Sequence, residues 1–112
     1  MSCSMQESTM VRFTTPTDTY KVIGVDLTGC KVWISYQQGA RELDVEADTI
    51  TYDGEDSIVS VELTQAQTAA FREGRKLLVQ INWIYLNGKR DATVQAEVDV
   101  MGNLLERELT YD

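Results

Sequence analysis

Between Lys31 and Met101 apolar residues recur at every second position, the pattern of strands that bury one face. A chain patterned this way must lay sheet against sheet, because each strand carries one apolar row and one polar row. Val32, Ile34 and Tyr36 share one face, and Leu43, Val45 and Ala47 share another. A two-residue turn at Gln38-Gly39 would set Val32 against Val45, Ile34 against Leu43 and Lys31 against Glu46. Asn87-Gly88 predicts a second hairpin with a type I′ turn, whose two central residues both need positive φ. That turn opposes Leu77 to Val98, Val79 to Ala96, Ile81 to Val94 and Trp83 to Ala92, with Lys76 facing Asp99, Gln80 facing Gln95 and Asn82 facing Thr93 on the other side.

The run Ser57 to Leu63 turns Val59, Val61 and Leu63 inward after a turn at residues 53–56. Thr64 followed by Gln67 is a capping-box pattern, so one or two helical turns are expected as far as Phe71, ended by a left-handed Gly74. A first strand is expected between Thr14 and Val25, after Pro16. Hairpin connections without a βαβ rhythm give an all-β, immunoglobulin-like antiparallel β-sandwich of about seven strands with one short helical turn, a small barrel being the alternative. The 112 residues make one domain, expected over residues 10–112, with residues 1–9 a disordered leader. Cys3 falls in that leader and Cys30 in a strand; both are expected to stay reduced, so packing alone would hold the sheets together.

The chain has no histidine and only two cysteines, which removes histidine triads, Cys₄ zinc sites and any base for Cys30. No nucleophile elbow, S-x-x-K or phosphate-cradling glycine loop occurs, so no catalytic residue, cofactor site or metal site is assigned. A net charge of −8 argues against nucleic acid and anionic membranes as partners. Glu42, Asp44, Glu46 and Asp48 line one face of a strand about 6.5–7 Å apart, too wide for neighbours to share one calcium ion; a solvated, edge-protecting row is the expectation. Trp83 reads as core. Trp33, Leu78, Ile84 and Leu86 read as outward, a candidate protein interface, unless the N-terminal strand or the helical turn covers them.

From Met10 onward, Met10-Val11-Arg12-Phe13-Thr14-Thr15-Pro16-Thr17 is followed by Asp53-Gly54, the run Ile58 to Gln65, Thr68 and Phe71, then Val79-Gln80-Ile81 and Asn87-Gly88-Lys89. This order resembles small prophage structural proteins of Gram-positive bacteria, related to the N-terminal immunoglobulin-like domain of phage baseplate upper proteins. Phe13 departs from the glycine usual in that family's R-G-T-T-P run, and Asn82-Trp83 stands where an arginine often follows V-Q-I. The resemblance implies a virion structural part, tail, baseplate or head-associated, that binds other virion proteins and self-associates, present in the bacterial cytoplasm during assembly and then in the particle. It transfers no catalytic residue. A carbohydrate- or cell-surface-binding module using Trp33, with or without calcium, is the competing expectation.

Overall fold

A computed structural model describes residues 2–5 and 9–111. The strands are β1 (Ser2–Met5), β2 (Met10–Val11), β3 (Thr17–Ile23), β4 (Lys31–Gln38), β5 (Arg41–Glu46), β6 (Thr49–Tyr52), β7 (Ser57–Glu62), β8 (Lys76–Ile84), β9 (Arg90–Ala92) and β10 (Ala96–Met101), with one helix, α1 (Gln65–Ala69), between β7 and β8. They form two sheets, β1-β3-β7-β6 and β2-β10-β8-β4-β5, with β9 also on β8. Pairing is antiparallel except β2 on β10. In immunoglobulin terms, β1, β3, β7 and β6 take the places of strands A, B, E and D; β10, β8, β4 and β5 take those of G, F, C and C′. The fold is an immunoglobulin-like all-β sandwich, with ten strands among the described residues rather than about seven, because the expected second arm of the Asn87-Gly88 hairpin divides into β9 and β10 and the short β1, β2 and β6 lie outside the expected set. Of the expected leader, residues 1 and 6–8 lie outside those described, while the backbone of Ser2–Met5 runs antiparallel to β3.

Alternation built the core. Val32, Ile34 and Tyr36 of β4 and Leu77, Val79, Ile81 and Trp83 of β8 face Tyr20 and Val22 of β3 and Val59 and Val61 of β7, all buried. Each large inward side chain contributes roughly 1.5–3 kcal/mol. Packing is not the only tie between the sheets. The Tyr36 hydroxyl donates to Asp18 Oδ2 at 2.7 Å and lies 2.8 Å from the Tyr20 hydroxyl, so strands of opposite sheets share one polar network. Ser57, fully buried, accepts from Leu27 N–H and donates to the Val25 carbonyl, pinning the loop whose Leu27 closes that end of the core.

Both predicted hairpins form, with corrected registers. The first turn is Gly39-Ala40, with Gly39 at φ 60°, so Ile34 faces Val45 and Tyr36 faces Leu43, while Glu46 lies opposite Trp33 instead of Lys31. Gln38 is the reason. It is buried and stays in β4 because its amide holds the backbone at Arg72 and Arg75. The displacement is two residues, which preserves the faces. In the second hairpin Leu77 faces Val98, Val79 faces Ala96 and Lys76 bridges to Asp99 at 2.6 Å, as expected. Nearer the turn the register slips by one: Asn82 meets Ala92 and Trp83 meets Asp91. Gly88 N–H bonds the Tyr85 carbonyl with Gly88 at φ 88° and Asn87 outside the positive region, so the loop has three residues rather than a type I′ pair. A bulge between Ala92 and Ala96 absorbs the extra residue. It turns Thr93 inward and leaves Val94, expected opposite Ile81, 62% exposed.

The capping box at Thr64 and Gln67 is present, but the helix ends at Ala69 with Ala70 still right-handed. Gly74, at φ 74°, serves the later turn and bonds the Val100 carbonyl. Phe13 is, among the described residues, the non-glycine with positive φ, at 62°. That backbone costs a side-chain-bearing residue about 1–2 kcal/mol. The Arg12 guanidinium lies 5.3 Å from the Phe13 ring centroid.

Candidate functional site: the outward face of the larger sheet

The side of the larger sheet turned away from the core presents Trp33 and Ser35 of β4, and Leu78, Gln80, Asn82 and Ile84 of β8, all half-buried. Parity alone puts them there, since each alternates with a buried neighbour. Trp33 pairs with Asn82, and Ile84 lies diagonally beyond it opposite Lys31. Together they line a groove of about 550 Å³, flanked by Glu42 and Asp44 of the edge strand β5 and by Arg90 of β9. Arg90 Nη2 donates to Asn82 Oδ1 at 3.0 Å, which fixes one wall. The side-chain carboxylates of Glu42, Asp44 and Glu46 have no hydrogen-bond or ion-pair partner among the described residues, so that rim is electronegative.

The four candidate interface residues fall in three places. Trp33 and Ile84 share the groove. Leu78 lies on the same face opposite Gln37, about 13 Å from Asn82 along the strand. Leu86 is fully exposed at the tip of the β8–β9 loop, beside a second hollow that includes Cys30 and Tyr85. Asn82 and Ser35 were within reach of the parity argument. Arg90 was not, because its position depends on the three-residue loop.

The acidic row occupies the expected edge strand with exposed side chains. Asp48, beyond the end of β5, turns back to accept from the Glu62 N–H at 2.7 Å. Among the described residues no three acids or cysteines gather closely enough to hold a metal ion. Cys30 is a free thiol whose pKa is pushed up by burial and, secondarily, by the charge of Asp26, which disfavours the nucleophilic thiolate. The Cys3 side chain lies outside the described residues. The groove therefore offers an aromatic and an aliphatic contact with hydrogen-bonding and anionic groups at the rim, a set suited to binding. Compared with protein-family models, curated proteins and solved structures, the chain gives no match.

Proposed function

We propose that the chain is a non-catalytic adaptor of a phage or prophage virion, in the tail or baseplate or on the head, that binds other virion proteins through the outward face of its larger sheet. The observation that carries the binding role is the Trp33–Ile84 groove with the unpaired Glu42 and Asp44 at its rim. A half-buried tryptophan beside an aliphatic residue is an anchor-type contact, and the carboxylates select a partner presenting basic or donor groups. The virion assignment rests on the family resemblance. Support for that likeness comes from Phe13: a position usual for glycine in that family has a left-handed backbone, the conformation glycine adopts without strain. Virion parts repeat by symmetry, so association between copies is part of the reading, with assembly in the bacterial cytoplasm.

The test is co-expression with the tail, baseplate and head proteins encoded beside its gene, followed by size-exclusion chromatography. A stable complex with one of them, lost in the Trp33→Ala/Ile84→Ala variant while its melting temperature holds, is the expected result. A neighbourhood of metabolic genes, or a complex indifferent to both substitutions, would overturn the reading. Asn82 and Arg90 beside Trp33 also favour a second reading, a sugar-binding surface. A glycan array with saturable binding that depends on Trp33 would select it.

A further inference from the structure

Three arginines gather at the end of β4 remote from Lys31. Arg41 begins β5, Arg72 and Arg75 lie in the loop before β8, and with Gln38 they line a cleft of about 350 Å³ that also includes Gly39 and Ala40. Buried Gln38 organises it. Its Nε2 donates to the carbonyls of Arg72 at 2.8 Å and Arg75 at 3.3 Å, and its Oε1 accepts from the Arg72 N–H at 2.7 Å. Arg41 Nη1 donates to the Ala70 carbonyl at 2.8 Å, so hairpin turn and loop are held as one frame.

No acid lines this cleft. Arg12, Lys21 and Lys76 each pair with a carboxylate; the guanidinium groups of Arg72 and Arg75, like the charged groups of Lys31, Lys89 and Arg107, have no hydrogen-bond or ion-pair partner among the described residues, but only Arg72 and Arg75 stand together in one cleft. In a chain of net charge −8, this is positive charge that the chain's own acids leave uncompensated. Guanidinium forks match carboxylates in two-bond geometry. The volume is roughly ten times the ~30 Å³ share of one water, room for a length of chain rather than a lone ion. Arginines contributed by two elements suit successive carboxylates on one face of an extended segment, spaced about 6.5–7 Å.

We propose that the Arg41–Arg72–Arg75 cleft binds an extended acidic peptide segment of a partner protein through its carboxylates. This goes beyond the Trp33 groove, whose rim favours the opposite charge. The test is fluorescence anisotropy of a labelled peptide of alternating glutamate and glycine, titrated with the full chain at low salt. Saturable binding is expected, weakened about tenfold or more by Arg72→Ala/Arg75→Ala, less by Arg72→Lys/Arg75→Lys, and abolished in about 1 M salt, where the screening length is roughly 3 Å. Trp33→Ala should leave it unchanged. Both arginine side chains are exposed, and circular-dichroism melting confirms that the variants fold. Equal affinity of wild type and the double alanine variant, absence of saturable binding, loss on Trp33→Ala, or displacement by inorganic phosphate at the peptide's own concentration would each overturn the proposal.

Discussion

Tyr36 stands where the two sheets face each other, and its hydroxyl does there what an apolar side chain could not. It donates to Asp18 and meets Tyr20, placing a directional polar contact inside an otherwise apolar layer. Burial first, and the neighbouring Tyr20 and Asp18 next, push the Tyr36 pKa far above the usual phenol value. The native state therefore keeps this proton at alkaline pH, while the unfolded chain releases it above about pH 10. Unfolding then liberates a proton, so this group's contribution to stability falls as pH rises through that range. Tyr36→Phe should lower stability near neutrality by about 1–3 kcal/mol, by removing the nearer of the two hydroxyls that donate to Asp18, and should flatten the alkaline decline. Urea melts at pH 7 and above pH 10 measure both. Trp83 is the contrasting residue: its indole N–H, buried on β8, has no acceptor among the described residues.

At the scale of elements, the bulge after β9 decides which face the second hairpin shows. Thr93 N–H bonds the Ile81 carbonyl at 2.9 Å, and Thr93 Oγ1 accepts the Ile81 N–H at 3.1 Å, so a side chain replaces a missing strand partner. Thr93→Val keeps the shape but leaves the buried Ile81 N–H without its acceptor; a loss of about 1–3 kcal/mol is expected by thermal melting. An unchanged melt would show that the bulge does not depend on that bond. These elements also mark how far the sequence could be read. Period-two alternation suffices to assign the inward and outward rows of β4, β5 and β8, because burial on one face enforces parity. Register near the turns was hidden. Gln38 looks like a turn residue until its three bonds to the Arg72–Arg75 loop are known, and Thr93 looks like a surface residue until its hydroxyl is needed by Ile81. Both are polar side chains buried through long-range hydrogen bonds, which pattern alone does not reveal. The capping box at Thr64 is local, and it was legible.

For the molecule as a whole, the sandwich distributes two tryptophans and two kinds of charge. Many immunoglobulin domains pack a tryptophan from strand C against a disulfide between B and F. Here the buried ring comes instead from β8, in the F position, and the Tyr36–Asp18–Tyr20 network bridges the C and B positions. That exchange leaves Trp33, on the C-position strand, available on the outer face. The acidic edge beside it and the arginine cleft at the sheet's end are the two proposed docking surfaces, and their charges are of opposite sign. Acrylamide quenching of tryptophan fluorescence in two single-tryptophan variants tests this division directly. With Trp33→Phe, the remaining Trp83 should resist quenching until the protein is unfolded; with Trp83→Phe, Trp33 should quench readily in the folded chain. Equal quenching of the two, or a shielded Trp33 beside an accessible Trp83, would contradict the assignment of faces on which the binding surface depends.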